Sequence, residues 1–221
     1  MSTATTSTRG TGWAISGLLT GLFGIVGIAA STKVDAVYDP SIAGDPAAIA
    51  EKLATQTPAL LVMHVTMLLA TVLAVPFAAG LRRRLAGHTL PGSLLPDVAA
   101  SGLALVSVAG LMGTALDTEF IFGLNQKDAH VVPEVAVLYG HWTGTVPWLW
   151  VGAGITGVAV ALAALRHAAA PRWIGWFAAI LGGLTLLVGV SPLQYLAGFT
   201  GPVLVLILGL GFAFGDRNNV S

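Results

Sequence analysis

The chain contains no cysteine and few charges, and both scarcities restrict what it can be. Without cysteine, disulfides, thiolate metal sites and a cysteine nucleophile are excluded. Only 9% of the 221 residues are charged, against about 25% in soluble domains. The formal net charge is zero, and no basic stripe with interleaved aromatics offers a surface for nucleic acid. The composition therefore disfavours both an ordinary soluble globule and a nucleic-acid-binding protein.

Long apolar runs fill most of the sequence, which is 55% hydrophobic. Because a helix that crosses a bilayer needs roughly 20 apolar residues, the runs predict an all-α, polytopic transmembrane bundle of about six spans. One transmembrane domain is expected at 11–215, between a disordered tail at 1–10 and a C-terminal tail at 216–221. The predicted spans are 13–30, 58–81, 96–116, 146–165, 173–190 and 193–214, with a possible extra re-entrant helix at 131–142.

The first apolar run carries a face of small residues. Gly17, Gly21 and Gly24 recur at a spacing that suits close packing against another helix, in this chain or in a second copy. A signal peptide is the competing interpretation, because Arg9 precedes the run. The run is long for a signal peptide, and Ile28 occupies a position where cleavage requires a small residue. A retained helix is therefore the preferred prediction.

Proline and charge organise the rest of the chain. Asp45 and Pro46 predict the start of a short helix that ends near residue 57. Pro76 is expected to bend the second span, and Gly201–Pro202 to break or kink the sixth. The six predicted spans place seven arginines on one side of the membrane and three lysines on the other. With a cytoplasmic N-terminus the seven lie inside, which predicts a multi-pass cell-membrane protein whose 31–57 and 117–145 segments lie outside.

Two acids, Asp117 and Glu119, are expected to leave the third span at its outer end. The apolar residues "FIFGL" follow at once, so partial burial of these carboxyls is expected. Burial disfavours the charged form of a carboxyl, and a protonated carboxyl can act as a general acid. Asp117 and Glu119, with Glu134 behind them, are therefore the candidate proton donors, and solvated acids at a helix end are the alternative.

Histidines also accompany these acids. If 130–141 is helical, Glu134 and His141 share a face, which His130 could join. His64 lies about two turns inside the second span, where an ionisable group usually faces the bundle interior. It is either a structural histidine that is hydrogen-bonded to another helix, or it belongs to one cluster with these acids and histidines. Histidines and carboxylates could bind zinc or iron, but no HExxH or Glu-x-x-His spacing is present. We therefore predict no metal and no cofactor.

Aromatic residues concentrate between positions 120 and 150. An interfacial belt explains such a cluster, because Trp and Tyr favour the headgroup region. The alternative is a pocket wall whose π faces stabilise a cationic ligand or intermediate. On that interpretation the predicted substrate-binding residues are His64, Phe120, Tyr139, His141, Trp142, Trp148 and Tyr195.

Isolated carboxyls, many spans and small size give the chain a general resemblance to the small integral membrane terpene cyclases of bacteria and fungi. The resemblance implies an enzyme that protonates a lipophilic, isoprenoid-like substrate in an aromatic pocket. Its Ala/Gly/Leu-rich helices are also similar to multi-pass membrane proteins of high-GC actinobacteria. The alternatives are a non-catalytic binding, carrier or accessory protein, and a metal-dependent membrane enzyme that uses the outer histidines and acids.

Overall fold

The computed structural model describes residues 11–125 and 131–215, and every regular element in these ranges is helical. The all-α prediction is therefore confirmed. The helices are α1 (Gly12–Ser31), α2 (Pro46–Thr55), α3 (Thr57–Ala86), α4 (Leu95–Asn125), α5 (Pro133–Thr145), α6 (Val151–His167), α7 (Arg172–Gly189) and α8 (Ala197–Leu210). Short 3-10 turns lie at Ala36–Tyr38, Val146–Trp150 and Gln194–Leu196, and a π turn follows α8 at Gly211–Gly215.

Six stretches of the described chain are helical, long and apolar enough to cross a membrane. Four of them are the single helices α1, α3, α4 and α7. The other two join shorter elements, Pro133–His167 through α5 and α6, and Gln194–Gly215 through α8. The prediction of a multi-pass bundle with about six spans is confirmed, and the exposed apolar side chains on these helices provide the surface for lipid.

The spans alternate in direction and form a closed ring. In ring order α1 packs on α3, α3 on α4, α4 on α6, α6 on α7, α7 on α8, and α8 on α1. We name the two ends by their content. The loop end holds residues 32–56 and the α4–α5 connection. The arginine end holds Arg82, Arg83, Arg84, Arg166 and Arg172.

Glycine lets neighbouring helices approach closely. A Cβ built on Gly17 would collide with Phe77 of α3, one on Gly21 with Leu206 of α8, and one on Gly24 with Trp150. The predicted glycine face is therefore buried inside the chain by its own helices. It is not available for a second copy, and association of two copies stays a prediction without this support.

The predicted end of the third span is wrong. The third span does not end at residue 116, because α4 continues to Asn125 and places Asp117 and Glu119 inside a helix. Apolar residues at helical spacing, Phe120 and Ile121 among them, keep that turn packed against the protein. Much of the expected polar segment 117–145 is thus helical, and α5 confirms a helix near 131–142.

The helix start predicted at Asp45 and the breaks or bends predicted at prolines fare differently in the structure. The helix predicted after Asp45 is confirmed, and Asp45 Oδ1 accepts a hydrogen bond from the Ala48 N–H at 3.1 Å. The break expected at Gly201–Pro202 is wrong, because α8 runs through both residues. Pro76 also lies inside an unbroken helix, α3. Bends at these prolines stay predictions.

A pair of adjacent glycines in α7 tests the close packing. In Gly182→Ala the new Cβ would lie 2.8 Å from the Gly157 Cα. We expect a loss of roughly 1–3 kcal/mol in the free energy of unfolding, because overpacking strains a tight contact. Gly183→Ala is the matched control, since its Cβ would meet nothing within 4 Å. Thermal unfolding in detergent measures both, and equal stabilities would contradict the packing.

Candidate functional site

A buried acid and a buried tyrosine join α4 to α5 near the loop end. Asp117 is 3% exposed and Tyr139 is 1% exposed. The Tyr139 hydroxyl donates a hydrogen bond to Asp117 Oδ1 at 3.1 Å. The Phe120 ring stacks on the Tyr139 ring, with centroids 4.3 Å apart and planes 4° from parallel. The acid is therefore held by one aromatic side chain, which a second aromatic ring covers.

The inner face of α5 explains this burial. Ala136, Tyr139, Gly140 and Thr143 recur at helical spacing and are all buried. A Cβ on Gly140 would collide with Val37, so this glycine lets residues 36–38 lie directly on α5. The pair is thus enclosed by α4 and α5, while the loop-end segment packs onto the same face of α5.

Asp117 also lies at a definite depth. Asp97, twenty residues earlier in α4, pairs with Arg82 at the arginine end, where the Arg82 Nε and Asp97 Oδ1 atoms are 2.6 Å apart. A helix rise of 1.5 Å per residue separates the two aspartates by about 30 Å, which is about the thickness of a hydrocarbon core. Asp117 therefore lies close to the membrane boundary at the loop end.

His64 lies at nearly the same level on α3. Two hydrogen bonds fix the register of α3 against α4, from Ser107 Oγ to Thr71 O (3.0 Å) and from Asn125 Nδ2 to Thr57 Oγ1 (2.9 Å). His64 is midway between the two threonines, opposite the turn that carries Asp117. Its Nδ1 atom is buried and has no hydrogen-bond partner in the described part of the chain.

Most of the other predicted site residues are exposed, whereas the pair is buried. Two residues apart on a helix, Asp117 and Glu119 point in nearly opposite directions, and Glu119 is exposed. Five further predicted residues are also exposed: Glu134, His141, Trp142, Trp148 and Tyr195. The expected sharing of one buried site does not hold for Glu119, Glu134 and His141, because their side chains are exposed. Within 11–125 and 131–215, no group of three or more acids or histidines is placed to hold a metal ion. His130 lies outside the described residues.

A groove opens at the loop end, and its lining does not include Asp117 or Tyr139. Its volume is about 380 Å³. It lies between the end of α1, residues 34–38, the Val146–Trp150 turn and the start of α8. The lining residues are Ile28, Ser31, Thr32, Val34, Asp35, Tyr38, Gly144, Pro147, Tyr195 and Phe199. Tyr195 is the predicted binding residue that the groove contains.

Tyr38 is held in place at the edge of the groove. Its ring meets the His141 ring edge to face, with centroids 5.8 Å apart and planes 86° apart. Its hydroxyl lies over Gly144, where a Cβ would collide with it. Burial raises the pKa of Tyr38 above its usual value, so the hydroxyl stays neutral at physiological pH. The predicted residue His141 thus supports a groove residue.

Ion pairs fix the segment that carries Asp35 and Tyr38. Lys52 Nζ lies 3.0 Å from Asp35 Oδ1 and 2.8 Å from Asp39 Oδ2. Gln56 Nε2 donates a hydrogen bond to Asp35 Oδ1 at 2.6 Å. The hydrogen bond from Lys52 lowers the pKa of Asp35 and of Asp39 below the usual range. Both carboxyls are therefore ionised at neutral pH.

Sequence reasoning missed Asp35, Tyr38 and Phe199. One signal was present in "KVDAVY", where the apolar residues Val34 and Ala36 alternate with Asp35 inside a polar loop. Both apolar residues are buried. Such alternation indicates a segment packed along a surface, with Asp35 directed outward.

The buried pair should contribute to stability. Asp117→Ala leaves the Tyr139 hydroxyl buried without its acceptor, which costs about 1–3 kcal/mol in the free energy of unfolding. Glu119→Ala is the control in the same helix, and we expect little change because that carboxyl is exposed. Thermal unfolding of the purified variants in one detergent compares them. A loss for Glu119→Ala as large as for Asp117→Ala would contradict this assignment.

Comparison with known proteins adds no assignment. The resemblance to terpene cyclases therefore stays a prediction, and function has to follow from the buried pair and the groove. No protein-family model, curated protein or solved structure matches this chain.

Proposed function

We propose that this chain is a non-catalytic membrane protein that binds a lipophilic small molecule in the groove at its loop end. The groove itself carries the proposal. Its volume of about 380 Å³ falls in the range of small-molecule sites, roughly 300–1,000 Å³. Its lining is mainly apolar, with three aromatic rings from Tyr38, Tyr195 and Phe199 and a few polar groups. Apolar walls with sparse polar groups are typical of ligand sites.

The distribution of arginine supports an orientation in the cell membrane. Every arginine in the described ranges lies at the arginine end of the bundle. Because cytoplasmic loops carry the excess of positive charge, we place the arginine end and the N-terminus in the cytoplasm. The groove then opens toward the outer surface, where a lipophilic molecule can enter from the outer leaflet or from water.

An enzyme that protonates an isoprenoid-like substrate is the second candidate. One observation favours it, because Asp117 is an acid that α4 buries within a membrane-spanning helix. Against it, one oxygen of the carboxyl, Oδ1, already accepts a hydrogen bond from the buried Tyr139 hydroxyl. Glu119 and Glu134 are exposed and lack the dry surroundings that carbocation chemistry needs. The groove therefore supports binding better than the pair supports catalysis.

Binding can be tested with aromatic variants at the loop end. We expect Tyr195→Ala and Phe199→Ala each to weaken binding of a lipophilic fluorescent probe by roughly five- to thirtyfold, because burial of each ring against the ligand contributes about 1–2 kcal/mol. Phe122→Ala is the control, an exposed aromatic near the same end that does not line the groove. Fluorescence titration of the purified protein measures the affinities. Equal losses in all three variants would contradict the assignment.

Catalysis can be tested separately with prenylated alkenes and epoxides supplied to membranes that contain the protein. If Asp117 were the proton donor, Asp117→Asn would lower product formation by about 100-fold or more. Glu119→Gln would stay near wild type, because its carboxyl faces outward. We expect no product from the wild-type protein. Turnover that depends on Asp117 would replace the binding proposal by the enzymatic one.

A further inference from the structure

We propose that the groove selects amphiphiles with a cationic head, of the quaternary or tertiary ammonium class. This inference rests on the proposed function, since it names the chemistry of the ligand that the same groove binds. Three observations carry it: an open carboxylate in the lining, an excess of acids at the loop end, and two tyrosines at the groove.

The first observation is the arrangement around Asp35. Lys52 and Gln56 both contact the same oxygen, Oδ1. Among the described residues, no donor is bonded to Oδ2. The Asp35 side chain is 60% exposed and lines the groove. The carboxylate is therefore held in position by one oxygen, and within the described ranges the other oxygen keeps its capacity to accept a contact from a ligand.

Lys52 does not neutralise this site. It is shared between Asp35 and Asp39, so the three side chains together carry one net negative charge. The described loop end adds four exposed acids, namely Asp45, Glu51, Glu119 and Glu134, and one further lysine, Lys33. An acidic surface attracts cations and repels anions. A ligand with an anionic head is therefore disfavoured at this end of the bundle.

The aromatic rings complete the recognition. Tyr38 and Tyr195 both line the groove, and Tyr38 is positioned by His141 and Gly144. The faces of aromatic rings attract ammonium groups, most strongly groups with little hydration. Phe199 is exposed at the groove and provides apolar surface for the hydrocarbon chain. The groove thus combines a carboxylate, π faces and an apolar wall, which match the parts of a cationic amphiphile.

The test compares three probes that share a dodecyl tail and differ in head group. Dodecyltrimethylammonium is cationic, dodecanol is neutral and laurate is anionic at neutral pH. The full chain is purified in an uncharged maltoside detergent, and retention of each radiolabelled probe is measured at equal free concentration. We expect the cationic probe to bind about tenfold more tightly than dodecanol, and laurate to bind most weakly.

Two aspartate variants separate a local contact from overall charge. Asp35→Asn removes the groove carboxylate and should reduce affinity for the cationic probe about three- to tenfold, with dodecanol unaffected. Asp45→Asn makes the same charge change in the same loop and keeps a good N-cap for α2, but Asp45 does not line the groove. Because it removes one surface charge but no groove contact, Asp45→Asn should reduce affinity for the cationic probe clearly less than Asp35→Asn does. Equal losses in both variants would overturn the selectivity of Asp35.

Variants of Tyr38 test the ring itself. Tyr38→Phe keeps the π face and should keep the preference for the cationic probe, whereas Tyr38→Leu should lose most of it.

The binding of the three probes to the wild-type protein distinguishes the two proposals. Equal affinity of the wild type for all three probes would overturn the cationic head and leave the groove as a lipophilic site. Binding of none of the probes would overturn the proposed function itself.

Discussion

The hydrogen bond from Tyr139 to Asp117 is the interaction on which the loop end depends. It lies in a buried contact between α4 and α5, where an unpaired hydroxyl or carboxyl would be costly. By fixing α5, it fixes Gly140, which accepts Val37, and Gly144, which accepts the Tyr38 hydroxyl. The groove wall thus includes a helix that is held by this polar pair, by the stacking of Phe120 on Tyr139 and by packing against α2. On this account Asp117 is a structural residue.

Two different means hold the loop end together. Toward the membrane, aromatic stacking and glycine contacts join α4, α5 and residues 36–38. Toward water, Lys52 draws Asp35 and Asp39 together and ties their segment to α2. Exposed ion pairs usually contribute little to stability, so the main effect of Lys52 is to orient Asp35. The same residues that order the loop thus hold the Asp35 carboxylate at the groove by one oxygen, Oδ1.

Much of the fold could be predicted from the sequence, and much less of the site. Apolar runs of spanning length predict membrane helices directly, which is why the six spans were recovered. A helix end, by contrast, depends on packing. The acids at 117 and 119 suggested an exit from the membrane, yet Phe120 and Ile121 continue the buried face. Composition could not show that Asp117 faces inward while Glu119 faces outward. Nor could the sequence predict that Tyr38 and Tyr195, which are distant in the chain, line the same groove.

A structure of the full chain with bound dodecyltrimethylammonium would show directly whether the groove is the ligand site. The account predicts the ammonium group between Tyr38 and Tyr195, within about 6 Å of a ring centroid and beside Asp35. Its tail should lie along Phe199, and the hydrogen bond between Tyr139 and Asp117 should be intact. An amphiphile bound instead against the Asp117 carboxyl, with Tyr139 displaced, would contradict the account and return the buried acid to the centre of the chemistry.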